Sequence, residues 1–218
     1  MITKCILFLL GLPKTIIFNF YYFPFIDAIK FPVFVSHRVW LKRLSGNLHL
    51  DEIKPGIVKI GFGDVGIFDQ RNSNTIWHVS GDVIFHGKAN VNHGVKFSVS
   101  GILEMGEKFT ITAESTIVAK EKISIGKNVL LSWDCLIMDT DFHKIYDFDS
   151  KYINEPSQVI IGNNVWIGCR SLILKGVKIE DGTIVAAAST VTKSITQSNI
   201  VLGGNPNRIL KENIRWDV

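Results

Sequence analysis

The chain has 218 residues, of which 46% are hydrophobic, 20% are charged and six are proline. This composition suits a domain with a sizeable core and excludes a disordered or collagen-like chain. The formal net charge is +4, and we expect no nucleic-acid partner. The cysteines, Cys5, Cys135 and Cys169, are too scattered for a disulfide framework or a zinc site, and a cytoplasmic location is therefore expected.

Residues 1–55 form a first predicted unit, because the positive charge is concentrated there. Residues 1–50 hold six Lys or Arg and one acid, whereas the rest of the chain holds 18 bases and 19 acids. The longest uncharged runs, Cys5–Pro13 and Thr15–Ile26, are too short to cross a bilayer. We expect this unit to pack on the end of the next one, or to touch an anionic membrane surface through residues 1–43.

Residues 56–206 show an apolar residue at every sixth position. The clearest run is Ile161, Ile167, Ile173, Ile179, Val185 and Val191. An earlier run has a phase that differs by four residues, so that a slip is expected near Phe109–Ala113. A period of six is typical of hexapeptide repeats in a parallel β-helix. We therefore predict an all-β fold in which three hexads make each triangular coil, with residues 56–78 as an irregular first coil.

The repeat is interrupted once, by residues 138–160, and it is followed by a tail at residues 207–218. The inserted loop contains His143 among several aspartates. Loops on a rigid scaffold often carry function, and a histidine beside a carboxylate suits a general base. A merely solvated histidine is the alternative that the pattern leaves open. We predict a short helix in the tail, because the open end of a β-helix exposes unpaired backbone.

Several motifs together resemble a known family. The hexads, the break MDTDFH (residues 138–143), the restart IIGNNVWIG (160–168) and the ending VLGGNPNRIL (201–210) are similar to those of left-handed β-helix acyltransferases. Within that family the chain most resembles bacterial O-acetyltransferases of capsule, exopolysaccharide and lipopolysaccharide synthesis, relatives of the galactoside and maltose acetyltransferases. The resemblance implies acetyl-CoA as donor, a sugar hydroxyl as acceptor, direct transfer without a metal, and a homotrimer with active sites between neighbouring prisms.

The resemblance also implies roles for individual residues. His143 is implied as the general base, with Asp141 beside it in the catalytic set. The residues implied to bind the donor are Trp166, Gly168, Ala187, Ala188, Thr192, Lys193 and Arg208. The residues expected to line the acceptor pocket are Glu114, Trp133, Asp134 and Asp139. For Trp133, Asp134 and Trp166, surface packing is the competing interpretation.

Four other interpretations compete with this one. An N-acetyltransferase of an amino-sugar nucleotide would differ in its acceptor atom. A carbonic-anhydrase-like zinc site would need histidines on adjacent coils, and His86, His93 and His143 are poorly spaced for it. A non-catalytic scaffold would not bind CoA. An all-β sandwich would show two-residue alternation and hairpin turns, which the hexads do not.

Overall fold

The computed structural model describes residues 2–217, with side chains described from Ile6 onward, so that the side chain of Cys5 lies outside it. Two helices come first, α1 (Ile2–Tyr22) and α2 (Phe25–Ala28). The strands follow in chain order: β1 (Val33–Val35), β2 (Val39–Arg43), β3 (Asn47–Leu50), β4 (Val58–Phe62), β5 (Thr75–Val79), β6 (Asp82–Phe85), β7 (Ala89–Asn92), β8 (Lys96–Val99), β9 (Ile102–Met105), β10 (Phe109–Ile111), β11 (Thr116–Ala119), β12 (Lys122–Ile125), β13 (Leu130–Leu131), β14 (Leu136–Met138), β15 (Val159–Ile161), β16 (Trp166–Ile167), β17 (Leu172–Ile173), β18 (Lys178–Ile179), β19 (Ile184–Val185), β20 (Thr190–Val191), β21 (Val201–Gly203) and β22 (Arg208–Lys211).

The strands form three sheets, which are the sides of a triangular prism. Sheet A has the order β1-β4-β7-β10-β13-β16-β19-β21-β22, sheet B the order β2-β5-β8-β11-β14-β17-β20, and sheet C the order β3-β6-β9-β12-β15-β18. From β1 to β20 the chain visits sheets A, B and C in turn, and each of these strands pairs in parallel with the strand one coil away. The predicted all-β class and parallel β-helix are therefore confirmed.

The coils have two lengths. Stacked residues are 20 apart in the longer coils, as where Lys96 pairs with Thr116, and 18 apart in the shorter coils, as where Leu172 pairs with Thr190. The slip expected near Phe109–Ala113 is wrong, because two extra residues recur between sheets B and C in every longer coil. Every second residue of a strand points inward, and an insertion of two therefore leaves the apolar pattern almost intact.

The core fills the prism with larger side chains in the longer coils than in the shorter ones. Buried rings in the longer coils are those of Trp77, Phe85, Phe97 and Phe109. The buried positions of the shorter coils hold Ile161, Ile167, Ile173, Ile179, Val185 and Val191. A longer perimeter encloses a wider interior, which accommodates the rings without strain.

The β-helix begins at Val33, which corrects the expected boundary between residues 1–55 and 56–206. Strands β1, β2 and β3 pair with β4, β5 and β6, so that they form the first coil. The hexad pattern misses this coil because the connections that follow it are irregular: residues 51–57 lead into the second coil, and residues 63–74 lie inside that coil, between β4 and β5.

Helix α1 covers the open edge of β1, and its side chains replace a neighbouring strand. The Thr15 hydroxyl accepts a hydrogen bond from the N–H of Val35 at 2.9 Å. The Asn19 amide donates to the carbonyl of Val33 at 2.7 Å and accepts from its N–H at 3.1 Å. Gly11 permits this approach, because a Cβ there would lie 2.6 Å from the Val35 carbonyl oxygen. The backbone edge of the first coil is thus satisfied.

Phe18 of the same helix closes the end of the prism, packing edge to face against Trp77 at 5.2 Å between ring centroids. Trp77 in turn donates its indole N–H to the Tyr22 hydroxyl at 2.9 Å. In the described part of the chain, neither helix combines the length and apolar character that a bilayer crossing demands.

The short helix expected in the tail at residues 207–218 is wrong. Strand β22 instead runs antiparallel to β21, with Leu202 opposite Ile209. A helix there would leave the edge of β21 without backbone partners, whereas an antiparallel strand satisfies it. Beyond β22 the tail turns back along the prism, and the indole of Trp216 donates to the carbonyl of Asn164 at 2.6 Å.

Candidate active site

The inserted loop leaves the prism after β14 and returns at β15. Its first residue, Asp139, is completely buried, and its two carboxylate oxygens accept hydrogen bonds from the N–H groups of Lys120 and Glu121, each at 2.8 Å. The carboxylate therefore ties the base of the loop to the preceding coil. The expectation that Asp139 lines the acceptor pocket is corrected, because both oxygens are used inside the wall of the prism.

One asparagine and one lysine hold the part of the loop that carries His143. The Asn154 amide donates to the Asp141 carboxylate and to the His143 carbonyl, both at 2.9 Å. The ammonium of Lys175, which follows β17, lies 2.6 Å from the Asp141 carboxylate and donates to the Asn154 carbonyl at 3.0 Å. Hydrogen bonds from Lys175 and Asn154 hold the pKa of Asp141 below its ordinary value. The loop backbone around His143 is thus fixed to the prism.

Asp141 acts on the backbone of the loop and not on the imidazole of His143. Within residues 2–217 the His143 ring makes no hydrogen bond, and the residue is exposed. The expected carboxylate–histidine pair is therefore not formed in the single chain. A ring on a fixed backbone, with both nitrogens accessible, can exchange a proton with a bound ligand.

Four residues implied to bind the donor lie along the corner between sheets A and B. A Cβ at Gly168 would lie 2.6 Å from the backbone nitrogen of Ala187 on the next coil. Ala188 has a left-handed backbone (φ 57°). Trp166, on the outer face of sheet A, is 37% exposed and donates its indole N–H to the Ser132 hydroxyl at 3.0 Å. A corner lined by backbone, methyl groups and an indole suits a thin, extended ligand.

The remaining donor candidates, Thr192, Lys193 and Arg208, meet at the C-terminal end of the prism. The Asn207 side chain joins them, because its oxygen accepts from the N–H groups of Thr192 at 3.1 Å and Lys193 at 3.3 Å. Its nitrogen donates to the Lys193 carbonyl at 2.9 Å. The two cations therefore lie on segments that are pinned together, which suits the binding of phosphate. The sequence analysis did not single out Asn207.

Three acceptor candidates lie on the same corner, closer to the N-terminal end. Glu114 and Asp134 have left-handed backbones (φ 58° and 61°) on successive coils. On the following coil, the Arg170 guanidinium lies 3.4 Å from the Asp134 carboxylate, and the backbone N–H of Arg170 donates to the Trp133 carbonyl at 3.0 Å. Ala188 continues this column. The structure thus brings donor and acceptor candidates onto one line, about 14 Å from Glu114 to Ala188 at the usual strand spacing.

Glu114 belongs to a polar network that the sequence analysis did not predict. Its carboxylate accepts hydrogen bonds from the Lys96 ammonium, at 2.7 Å, and from the Ser73 hydroxyl. The Ser73 oxygen also lies 2.6 Å from Nδ1 of His93. Because the single hydroxyl proton goes to the carboxylate, Nδ1 of His93 donates to Ser73. The one residue in the sequence that could have indicated this network is Gly94. A Cβ at Gly94 would overlap the Glu114 carboxylate and the Ser73 hydroxyl.

Burial and hydrogen bonding set the charges of this network. Burial lowers the pKa of His93, although the Glu114 carboxylate acts in the opposite direction. Burial also raises the pKa of Glu114, but the hydrogen bonds from Lys96 and Ser73 outweigh it and hold that pKa below its ordinary value. At neutral pH an ionised Glu114 therefore faces a neutral His93, whose Nε2 is buried without a partner.

The described side chains contain no group of three His, Cys, Asp or Glu placed to hold a metal ion. His86 lies 2.9 Å from the Asp51 carboxylate, whereas His93 is bound within its own network. His86 and His93, which were considered for a zinc site, therefore each bind a different partner.

A protein-family model described as bacterial transferase hexapeptide (six repeats) matches residues 158–193, which contain β15 to β20. The match therefore covers the shorter coils of the chain. Galactoside O-acetyltransferase of Escherichia coli (strain K12) is 33% identical over 118 residues, which are 54% of this chain and 58% of that protein. Polysialic acid O-acetyltransferase of Neisseria meningitidis is 42% identical over 116 residues, which are 52% and 54% of the two chains. This chain thus spans little more than half the length of these relatives.

Solved structures share the fold of this protein. The polySia-specific acetyltransferase NeuO superposes with a TM-score of 0.67 at 23% identity, covering 84% of this chain and 80% of its own. The N-acyltransferase AntD of Bacillus cereus superposes with a TM-score of 0.53 at 16% identity, covering 89% and 92%. The predicted left-handed β-helix is confirmed.

Proposed function

We propose that this protein is an acetyl-CoA-dependent O-acetyltransferase that acts on a sugar hydroxyl in surface-polysaccharide synthesis. The observation that carries the proposal is the unpaired ring of His143 on a loop fixed by Lys175 and Asn154. The relatives named above, which act on galactoside and polysialic acid, support the same reaction class.

The reaction is a direct transfer. His143 takes the proton of the acceptor hydroxyl as its oxygen attacks the thioester carbonyl carbon, because a neutral hydroxyl is a poor nucleophile. The tetrahedral oxyanion then collapses, the carbon–sulfur bond breaks, and the imidazolium returns the proton to the CoA sulfur. Asp141 serves as a positioning residue for the loop.

The donor binds along the corner between sheets A and B. Trp166 and the small residues Gly168, Ala187 and Ala188 suit the pantetheine arm, and Lys193 with Arg208 suits the phosphates. Toward the N-terminal end the same corner offers Asp134, Trp133 and the Glu114 network to the hydroxyl groups of a sugar. The acceptor is thereby placed on the far side of the thioester from the nucleotide.

Within one chain the loop of His143 leaves at the corner between sheets B and C, whereas the donor corner lies between sheets A and B. We therefore propose a homotrimer in which His143 of a neighbouring chain completes each site. The loop that carries His143 exposes large apolar side chains to solvent in the single chain: Phe142, Ile145, Tyr146, Phe148 and Ile153. Such a cluster on one loop is typical of a surface that another subunit covers. Acetyl-CoA is supplied in the cytoplasm, where we propose that the protein works; Cys135 and Cys169 are both free, as a reducing compartment would keep them.

The test is a thiol-release assay with acetyl-CoA and a panel of sugar acceptors. We expect His143→Ala to lower acetyl transfer by about 100-fold or more without changing the oligomeric state. His49→Ala, which removes an exposed histidine from sheet C, is the matched control and should retain full activity. Near-normal turnover of His143→Ala would show that His143 is not the general base.

The same assay distinguishes O-acetylation from the second candidate function, N-acetylation of an amino-sugar nucleotide. The N-acyltransferase AntD, which shares the fold, is the reason for considering this second function. Amino-sugar nucleotides are therefore included in the panel. Transfer to the amine alone would replace the O-acetyltransferase proposal, and the absence of both CoA binding and transfer would indicate a scaffold.

A further inference from the structure

The outward face of the helical cap at the N-terminal end is apolar where a soluble protein is normally polar. The exposed large hydrophobic side chains of α1, α2 and the residue after α2 are those of Ile6, Phe8, Leu9, Leu10, Leu12, Ile16, Ile17, Phe20, Tyr21, Phe25, Ile26 and Ile29. Six of those in α1 follow one another at spacings of one, three or six residues, which places them on one stripe of the helix: Ile6, Leu9, Leu10, Ile16, Ile17 and Phe20. Leu9 is 65% exposed and Ile17 57% exposed. We call this stripe and the α2 side chains the apolar cap face.

The direction of the apolar cap face is fixed by the opposite side of α1. Gly11 approaches Val35, and Asn19 binds Val33, so that α1 runs antiparallel to β1 and lies along it. The strands of a β-helix run across the prism and not along its axis. Helix α1 therefore lies flat across the end of the prism, and the apolar cap face points away from the end, beyond the sides on which neighbouring prisms would pack.

The surroundings of the apolar cap face are positively charged. The first fifty residues contain one acid, Asp27, and it is paired with Lys30 at 2.9 Å. Lys42 and Arg43 lie on β2, the edge strand of sheet B at the same end, and no carboxylate among the described residues pairs with either. Trp40 on this strand is 58% exposed, with the Lys42 ammonium 5.5 Å from its ring centroid.

This charge distinguishes between a lipid surface and a second copy of the chain. A two-fold contact between two apolar cap faces would set the same excess of five positive charges on each side against itself. An anionic lipid surface is complementary to that charge, and each Lys or Arg near it adds attraction. A helix that lies flat with an apolar face and basic flanks is the usual interfacial anchor.

We propose that the apolar cap face rests on a membrane that contains anionic lipids, with the outward side chains of α1 and α2 inserted among the headgroups. Lys14, in the middle of α1, donates to the carbonyls of His37 and Val39 at 2.6 Å and stays with the protein. The helix therefore lies on the bilayer and does not cross it. The proposal is independent of the transferase reaction, because binding is measured without substrates.

The test is co-sedimentation of the full-length protein with phosphatidylcholine vesicles that contain or lack phosphatidylglycerol. We expect binding to the anionic vesicles at low salt and release as the ionic strength rises. Leu9→Gln combined with Ile17→Gln should lower the partition at least about 10-fold, because two inserted side chains become polar. Lys42→Gln combined with Arg43→Gln should lower it about 10-fold on anionic vesicles alone.

Ile67→Gln is the matched control, since Ile67 is 70% exposed but lies on the connection between β4 and β5. It should bind like the unchanged protein. Leu9 and Ile17 point outward, and an unaltered thermal unfolding curve should accompany their replacement. The proposal is overturned if the unchanged protein stays in the supernatant, if the double Gln variant still binds, or if that variant has a smaller oligomeric mass, which would assign the face to another copy of the chain.

Discussion

The longer and the shorter coils of this β-helix differ at a single corner. In a longer coil the chain passes from Lys96 in sheet B to Glu104 in sheet C, a step of eight residues. The residues at the same two positions of a shorter coil are Leu172 and Lys178, a step of six. The longer coils enclose aromatic rings, and the shorter ones enclose branched aliphatic side chains. Coil length and side-chain volume therefore change together along the prism.

The inserted loop leaves at this same corner, where longer coils give way to shorter ones. Asp139 stands one coil beyond Ala119, at a position where the longer coils place a buried apolar residue. At this corner the next coil lacks the backbone that would bind the N–H groups of Lys120 and Glu121, and the Asp139 carboxylate binds them instead. The loop thus lies where the two coil lengths meet, and the buried Asp139 carboxylate closes the junction between them.

The largest expected effect comes from breaking this junction. Asp139→Ala leaves two buried N–H groups without an acceptor, and it should lower the free energy of unfolding by about 3 kcal/mol. Chemical denaturation followed by circular dichroism measures the loss. Asp134→Ala, which removes an exposed carboxylate of the same coil, is the control and should cost less than about 1 kcal/mol. Equal losses in the two variants would mean that Asp139 does not close the junction.

A smaller effect is expected on the side of the shorter coils, where Lys175 anchors the loop. Lys175→Met should leave stability almost unchanged but lower kcat/KM about 10-fold, because His143 is then held less firmly. Lys178→Met, which removes a lysine that pairs with Glu180 at 2.8 Å, is the matched control and should keep full activity. Limited proteolysis should cut residues 139–158 faster in Lys175→Met alone. If the kinetics and the proteolysis of Lys175→Met were unchanged, Lys175 would not be what holds the loop of His143 in place.

The smallest effect concerns the longer coils and the His93 network. The folded-state pKa of His93 lies below the unfolded value, so that the unfolded chain takes up the proton first. The contribution of His93 to stability is thus complete above the unfolded pKa, near 6.5, and it is lost as the pH falls through the folded pKa. Between about pH 7 and pH 5 the free energy of unfolding should fall, and His93→Gln should flatten that dependence. The same slope in both proteins would contradict the assignment.

The sequence was most informative where the structure repeats. Six-residue spacing identified the β-helix, and the break at residues 138–160 located the loop, because both are periodic signals that local sequence carries. The first coil was missed, since its strands pair across connections of irregular length. The two-residue lengthening was missed because Val99 and Leu103 point inward on either side of it.

The site was less predictable than the fold, because its contacts join residues far apart in sequence. The family resemblance indicated His143 and the residues implied to bind the donor. No sequence motif includes Lys175 or Asn154, so their contacts with Asp141 could not be predicted. Asp139 looked like one more loop acid, although its burial and its two N–H partners make it structural. Ser73 reaches the Glu114 network from a connection without any repeat.

The two edges of sheet A determine whether copies of the chain can stack end to end through it. A parallel β-helix is a template to which a further coil of any copy could add, and repeated addition would yield fibres. At one end Thr15 and Asn19 already occupy the template, and at the other β22 presents the opposite strand polarity. Along sheet A, the addition of a further parallel strand is thereby blocked at both edges, by side chains in one case and by chain direction in the other.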